Sequence, residues 1–190
     1  MEHGFITNVE NNTIPGKIIY IKNKIVEGNT CYWKHKAFEL NKGNKTQFIE
    51  TGTFQGDGVF TALGLGFEKI YSIEIVFENY EYAYNRWSSL DNVKLYYGDT
   101  ADMLKEVLPD INEPSFFWLD AHFHSSEPTY KELDIIESHI IKTHTILIDD
   151  IDYYFNKNEI ENRIKRINND YKISYEPTWR STEGILVAKV

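Results

Sequence analysis

One stretch decides the fold: Phe48-Ile49-Glu50-Thr51-Gly52-Thr53-Phe54-Gln55-Gly56-Asp57-Gly58. It begins apolar and β-branched, breaks into glycines, and regains apolar residues at helical spacing from Val59 onward. This pattern is typical of a strand, a tight turn and a helix. Glycines let the backbone approach a ligand closely, and a helix N-terminus presents N–H groups to it. Glu50, at the end of the strand, favours a ligand that carries an amine or hydroxyls over a phosphate.

The rest of the chain alternates between strand and helix patterns, and each of five strand candidates ends in an acid. These acids are Glu50, Glu74, Asp99, Asp120 and the pair Asp149-Asp150. Alternation predicts right-handed βαβ units and a parallel sheet covered on both faces, and closing strands over 171–176 and 184–190 suggest a terminal hairpin. Because ligands bind beyond the carboxyl ends of parallel strands, we expect the acids to gather along one edge. Each acid could instead be only a helix N-cap.

Bulk properties limit the classes of protein that fit. With 190 residues the chain is long enough for one domain with a sizeable core, and we find no domain boundary. The net charge of −9 argues against a nucleic-acid-binding surface. Cys31 is the only cysteine, which suggests a reduced compartment. No secretory signal follows Met1, and no apolar run approaches the ~18 residues of a membrane span, so we expect a cytoplasmic protein.

The glycine stretch and Glu74 together suggest a cofactor that contains a nucleoside. Glu74 follows Gly52 by about 20 residues, as a ribose-binding acid does in nucleotide-binding βαβ units. The glycines do not form the dinucleotide fingerprint, because Phe54 stands where another glycine is expected. The case therefore depends on the series of acids as well as on the glycines.

Three segments resemble the cofactor motifs of class I S-adenosylmethionine-dependent methyltransferases: residues 50–56, Glu74 and Gly98-Asp99. The resemblance implies an α/β fold, with a Rossmann-like, seven-stranded, mostly parallel sheet, helices on both faces and a C-terminal antiparallel hairpin. It implies one methyltransferase domain over 1–190, with 1–45 as an N-terminal lid or helix region and 46–190 as the cofactor-binding core. The cofactor-binding residues that it implies are Glu50, Gly52, Thr53, Gln55, Gly56, Glu74, Asp99, Thr100 and Asp120.

A narrower resemblance concerns residues 118–122 and 148–150, which are similar to the metal site of macrocin-type sugar O-methyltransferases. It implies that Asp120, Asp149 and Asp150 bind magnesium and that His122 is the catalytic base. The sequence departs from that family at His122, where the family has a carboxylate.

The chemistry of such a site is sensible from the residues alone. Three converging carboxylates repel one another unless a hard cation holds them, and oxygen ligands favour Mg²⁺, Mn²⁺ or Ca²⁺. A cation with open positions can bind two vicinal hydroxyls and lower the pKa of one. His122, with an ordinary pKa of about 6.5, can then accept that proton. Asp149 and Asp150 could instead cap the next segment, His122 could be a ligand or an orienting group, and His124 is an alternative base.

The expected function is therefore S-adenosylmethionine-dependent, metal-assisted O-methylation of a sugar hydroxyl in a glycan or glycoconjugate. Two alternatives stay open, namely methylation of a catechol-like small molecule and a non-catalytic nucleotide-binding module. Association with glycosyltransferases and a homo-oligomer also stay open. Aromatic residues offer further contacts: Tyr32, Trp33 and Lys36 could close over the cofactor, and Tyr153 and Tyr154 could stack on a sugar.

Overall fold

The structure, a computed structural model, describes residues 30–121 and 125–190. The strands are β1 Gln47–Thr51, β2 Lys69–Glu74, β3 Val93–Tyr97, β4 Phe116–Leu119, β5 Thr145–Ile148, β6 Lys172–Glu176 and β7 Ile185–Lys189. The helices are α1 Thr30–Asn41, α2 Asp57–Gly64, α3 Phe77–Trp87, α4 Thr100–Val107, α5 Glu127–Ser138, α6 Ile151–Tyr154 and α7 Lys157–Ile167, with a 3₁₀ turn at Leu108–Asp110.

The strands form one seven-stranded sheet in the order β3-β2-β1-β4-β5-β7-β6. The first five strands pair in parallel, whereas β7 runs antiparallel to both β5 and β6. The predicted fold class, including the terminal hairpin, is confirmed. Strand order reverses between β1 and β4, and such a reversal opens a crevice at the carboxyl ends of the strands.

Helices cover both faces of the sheet because successive strand residues point to opposite sides. Phe48 and Phe116 pack in a cluster with side chains of α1, α2 and α3. Ile49 and Phe117 pack in a second cluster with side chains of α4, α5 and α7. Strands buried on both faces read as continuous apolar runs, which is the pattern seen at Phe116–Leu119.

The strand register places the acids as expected. Thr51 pairs with Ile73 on one side and with Leu119 on the other, and Leu119 pairs with Ile148. The residues that follow these four positions form one row at the carboxyl edge, and they are Glu74, Gly52, Asp120 and Asp149. Backbone hydrogen bonds extend this row beyond the strands, since Asp120 N donates to Thr51 O at 3.1 Å and Asp149 N donates to Leu119 O at 3.2 Å.

Two helices differ from what the sequence pattern predicts. The helical spacing of Leu133, Ile136 and Ile140 predicts a helix over 130–141. The observed helix, α5, begins earlier, with Pro128 in its first turn, and ends before Ile140, whose side chain is exposed. The short helix α6 was not predicted. His122 and His124 lie outside the described residues, and so does the apolar run 17–21, which the sequence pattern allows as a short strand or an apolar loop segment. No helix in the described ranges is long and apolar enough to cross a membrane.

Candidate functional site

A cavity of about 790 Å³ opens at the carboxyl edge of the sheet. Its size is in the range of ligand pockets, and it lies where the strand order reverses. Eight residues predicted for the cofactor or the metal line it, namely Gly52, Thr53, Glu74, Asp99, Thr100, Asp120, Asp149 and Asp150. Glu50, Gln55 and Gly56 are not in the lining. Gly56 faces Trp87 instead, so that a Cβ on Gly56 would lie 2.5 Å from the Trp87 Nε1 atom.

Gly52 begins the turn after β1 with a left-handed backbone, at a φ of +81°. A Cβ at this position would lie 2.5 Å from the backbone oxygen of Asp120. Only glycine therefore lets the β1 turn pass directly against the end of β4, and this contact forms the floor of the cavity.

Glu50 lies just below this floor and is fully buried. Ser72, its register partner on β2, donates from Oγ to Glu50 Oε2 at 2.7 Å, and Thr53 Oγ1 lies 2.6 Å from the same Ser72 Oγ. Glu50 Oε1 has no hydrogen-bond partner among the described residues. Burial raises the pKa of Glu50 to about 8, although the nearby charge of Lys34 acts against this. This oxygen lies against Gly58 of α2, and Glu50 itself is beneath the cavity and not part of its lining.

Glu74, the last residue of β2, is held by two backbone N–H groups. Phe54 N donates to Oε2 at 2.7 Å, and Val76 N donates to Oε1 at 2.8 Å. Each carboxylate oxygen can accept a second hydrogen bond. Because Glu74 lines the cavity, this geometry fits a pair of ribose hydroxyls.

Asp99 has a structural role as well as a place in the lining. Its Oδ1 accepts from Ala101 N at 3.0 Å and from Asp102 N at 3.4 Å, and so caps α4. For this acid the capping alternative holds. Its exposed edge and Thr100 still border the end of the cavity next to Glu74.

Lys34 was not singled out in the sequence, yet it enters the row of acids from α1. Its ammonium donates to Asp120 Oδ2 at 3.0 Å, and Trp118 Nε1 donates to the same oxygen at 3.2 Å. Burial alone would lower the pKa of Lys34, but the charges of Asp120, Glu50 and Asp149 outweigh it and raise the pKa. One signal was available, because Lys34 precedes Phe38 by one helical turn and so shares the face of α1 that packs on the sheet.

Asp149 and Asp150 take different partners. Asp149 Oδ1 accepts from Asp150 N at 2.9 Å, and burial together with the charge of Asp120 raises the pKa of Asp149. Asp150 has a left-handed backbone with a φ of +50°. Its Oδ1 accepts from Arg180 Nη2 at 2.6 Å. The side chain of Asp150 makes no capping hydrogen bond to α6, so the capping alternative does not explain it.

Arg180 and Trp179 belong to the loop between β6 and β7 and also line the cavity. Sequence reasoning missed both residues. The predicted hairpin contained the signal, because β7 runs antiparallel to β5 and therefore starts at the edge where β5 ends. Trp179 is 58% exposed and Arg180 lies over its ring, with 5.2 Å between the guanidinium carbon and the ring centre.

The described side chains do not fit a divalent cation as they lie. Within residues 30–121 and 125–190, no three His, Cys, Asp or Glu side chains are arranged to hold a metal ion. Asp120 is paired with Lys34 and Asp150 with Arg180. A metal ion would have to displace both cations or share their carboxylates. The metal role of Asp120, Asp149 and Asp150 stays a prediction.

The same residues do fit S-adenosylmethionine. Glu74 has acceptor capacity for a ribose, and the glycine turn leaves the backbone of Gly52 and Thr53 open to the cavity. The fit rests on the donors and acceptors of this chain and on the size of the cavity.

Comparisons with known proteins agree with this fold. No protein-family model and no curated protein sequence matches the chain. An O-methyltransferase from Bacillus cereus in complex with S-adenosylhomocysteine (SAH) has a TM-score of 0.57 and 16% identity, over 87% of this chain and 82% of that chain. A Staphylococcus aureus protein provisionally assigned as a caffeoyl-CoA O-methyltransferase has a TM-score of 0.57 and 15% identity, over 87% and 85%. A methyltransferase from Geobacter sulfurreducens has a TM-score of 0.61 and 13% identity, over 87% and 79%.

At these identities the similarities establish the fold and leave the activity to be argued from the site. They cover 87% of this chain and most of each solved structure. The chain therefore has the fold of class I S-adenosylmethionine-dependent methyltransferases.

Proposed function

We propose that the protein is an S-adenosylmethionine-dependent O-methyltransferase that acts on a sugar hydroxyl. The observation that carries the proposal is Glu74, whose carboxylate is fixed by two backbone N–H groups within the cavity beside the Gly52 turn. The fold it shares with an O-methyltransferase in complex with SAH supports the same cofactor.

The residues divide the cavity into two parts. Glu74, Asp99 and Thr100 border the part suited to a nucleoside, and Gly52 lies toward the middle, between Glu74 and Asp120 in the row. Asp149, Asp150 and the β6–β7 loop border the other part, where we place the acceptor. The adjacent residues of this row thus bring the methyl donor and the acceptor hydroxyl together, and this alignment is the main contribution of the protein to methyl transfer.

When bound, S-adenosylmethionine would supply a methyl group from its sulfonium and keep the bonding electron pair on sulfur. The acceptor oxygen forms its bond to the methyl carbon while its proton passes to a base of the protein. His122 is our candidate for that base because it follows Asp120 by two residues. His122 lies outside the described residues, so its assignment rests on sequence and on the test below.

The rim of the cavity formed by the β6–β7 loop indicates the class of acceptor. Trp179 is a broad exposed ring next to the carboxylate of Asp150 and the guanidinium of Arg180, which together offer a stacking surface and hydrogen-bonding groups for a sugar. A catechol-like acceptor is the second candidate, favoured by the fold likeness to the provisionally assigned caffeoyl-CoA O-methyltransferase. We leave the divalent cation out of this mechanism because Lys34 and Arg180 already pair with two of its three expected ligands.

The cofactor is tested first by isothermal titration of the purified chain with S-adenosylmethionine, SAH and NAD. We expect micromolar binding of the first two and none of NAD. Preferential binding of NAD would favour the nucleotide-binding module and overturn the proposal.

The acceptor is then sought by transfer of a radiolabelled methyl group to panels of free sugars, nucleotide sugars, glycosides and catechols. Transfer to sugars but not to their O-methylated forms supports the proposal, and transfer to catechols alone supports the second candidate. With the acceptor found, His122→Ala should lose at least about a hundredfold in kcat, while His124→Ala serves as the matched control. Equal losses in both variants would remove His122 as the base.

A further inference from the structure

The positive charge in the row of acids is supplied by the chain itself. Lys34 reaches Asp120 across 86 positions of sequence and forms an ion pair in which about a fifth of each side chain is exposed. The fully buried Glu50 and the next acid in the row, Asp149, lie close enough to act on the charge of Lys34. An ammonium therefore lies among the carboxylates where the sequence predicts a metal ion.

Two aromatic contacts fix the position of this ammonium. Phe38 packs on Trp118 with ring centres 4.9 Å apart, and Lys34, one turn earlier on α1, lies with its ammonium 5.1 Å from the same ring centre. Phe38 is fully buried among Phe48, Phe116 and Trp118, so α1 cannot rotate without breaking this cluster. The ammonium is thus held by packing as well as by charge.

The ammonium of Lys34 has more N–H donors than Asp120 accepts. An ammonium has three N–H donors, and Asp120 Oδ2 accepts one of them. Lys34 lines the same cavity as Asp149 and Asp150, and we assign its remaining donors to the acceptor.

We propose that Lys34 is the resident cation of the acceptor site, pairing with Asp120 and binding the acceptor hydroxyl in place of a divalent metal ion. This inference rests on the proposed function. It assigns Lys34 as a binding residue and makes methyl transfer independent of added metal.

Lys34 and a metal ion should exclude each other. A divalent cation bound to Asp120 would lie within a few ångströms of the ammonium, where like charges repel strongly in a partly buried site. Removing the charge of Lys34 while keeping its length should therefore uncover a site of carboxylates that a hard cation can enter.

The test is Mn²⁺ binding to the full chain, followed by electron paramagnetic resonance, in the presence and absence of SAH. The variants are Lys34→Met, Lys34→Gln as a second neutral form, Lys34→Arg as the charge-preserving form, and Lys36→Met as a control from the exposed side of α1. We expect wild type, Lys34→Arg and Lys36→Met to bind no Mn²⁺ at this site. Lys34→Met and Lys34→Gln should each bind one ion, with a Kd at least about tenfold below the highest Mn²⁺ concentration at which the other three proteins show no binding, and adding Asp149→Asn should abolish it.

Two outcomes would overturn the inference. Wild type could bind one Mn²⁺ that Asp149→Asn removes, which would mean that lysine and metal coexist. Alternatively, neither neutral variant could bind Mn²⁺, which would mean that Lys34 does not occupy a cation site. A lysine with only a structural role would lower the melting temperature in the neutral variants without creating Mn²⁺ binding.

The titration with S-adenosylmethionine keeps this inference separate from the proposed function. Neutral Lys34 variants should bind the cofactor within about threefold of wild type, whereas failure of wild type to bind it would count against the function alone. With an acceptor in hand, Lys34→Met should raise its KM by at least about tenfold, and Mn²⁺ should restore it. Wild-type transfer should continue undiminished in excess EDTA.

Discussion

Glu50 Oε1 occupies the space where a side chain at Gly58 would begin, since a Cβ on Gly58 would lie only 1.6 Å from it. Gly58 sits in the first turn of α2 and has an ordinary helical backbone, so conformational freedom does not explain the glycine. Its purpose is to make room for a buried carboxyl. The third glycine of the fold-deciding stretch thus serves the acid that precedes the turn.

We predict that Gly58→Ala weakens both the fold and cofactor binding. Glycine to alanine within a helix ordinarily stabilises by about 1 kcal/mol. Here it should lower the free energy of unfolding by about 1–3 kcal/mol, because the methyl group collides with a buried side chain. Urea denaturation and titration with S-adenosylmethionine measure the two effects. Glu50→Asp, shorter by one methylene, should recover part of the loss in the double variant, and simple additivity would disprove the contact.

We predict that Glu74→Ala raises the Kd for S-adenosylmethionine by about ten- to a hundredfold, since a charged hydrogen-bond acceptor contributes about 1.5–3 kcal/mol. Two backbone N–H groups also lose their partner, so the turn at Phe54 should loosen. Glu78→Ala, an exposed acid in the first turn of α3, is the matched control. Isothermal titration of both variants with SAH measures the difference in cofactor affinity. Equal affinities would remove Glu74 from the cofactor site.

We predict that a buried histidine makes the fold acid-sensitive. Ser115 N donates to His144 Nδ1 at 3.0 Å, so the neutral ring carries its proton on Nε2, which lies 3.1 Å from His139 Nδ1. Burial lowers the pKa of His144 to about 3 and also lowers that of His139. In the unfolded chain His144 is protonated as the pH falls below about 6.5, whereas in the folded chain it stays neutral until a much lower pH. Stability is therefore present above about pH 6.5 and lost as the pH falls toward 3.

The expected loss from His144 between pH 7 and pH 5 is about 2 kcal/mol. The raised pKa values of Glu50 and Asp149 act in the opposite direction over part of this range, because those groups favour the folded state at lower pH. The histidine contribution is therefore measured as the difference in pH slope between wild type and His144→Gln, from urea denaturation at several pH values. Parallel slopes would mean that His144 is protonated within the fold.

We predict that Trp179→Ala and Arg180→Ala leave S-adenosylmethionine affinity within about threefold and raise the acceptor KM by about tenfold or more. Both residues line the part of the cavity that we propose for the acceptor. Tyr82→Ala, which removes another exposed aromatic ring, and Lys172→Ala, an exposed cation on β6, are the controls. Steady-state kinetics with varied acceptor separates KM from kcat. A loss confined to cofactor affinity would place the β6–β7 loop in the other half of the site.

Patterns local in sequence predicted the fold and the row of acids. Alternating apolar strands and helices follow from short-range periodicity, and a parallel sheet brings strand ends together whatever the loops do. The acids Glu74 and Asp120 were therefore placed correctly without any contact being known. Asp99 was ambiguous because the same residue type caps helices and binds ligands.

Pairings distant in sequence were not predictable in the same way. Lys34 meets Asp120 only because Phe38 anchors α1 over Trp118, and Arg180 meets Asp150 only because the closing hairpin returns its loop to the carboxyl edge. Both cations alter the expected chemistry of the acids. Charge balance within a site depends on such long-range partners, and a list of acids at strand ends does not include them.

Phe54 and Asp150 share one further property, since both are non-glycine residues with a left-handed backbone, at φ values of 47° and 50°. Both lie at the rim of the cavity, one presenting its N–H to Glu74 and the other its carboxylate to Arg180. Such conformations cost of order 1–3 kcal/mol of folding free energy each and tend to occur at functional sites. A laboratory selection for heat resistance should therefore choose glycine at these two positions early, and its survivors should be robust proteins with poor turnover.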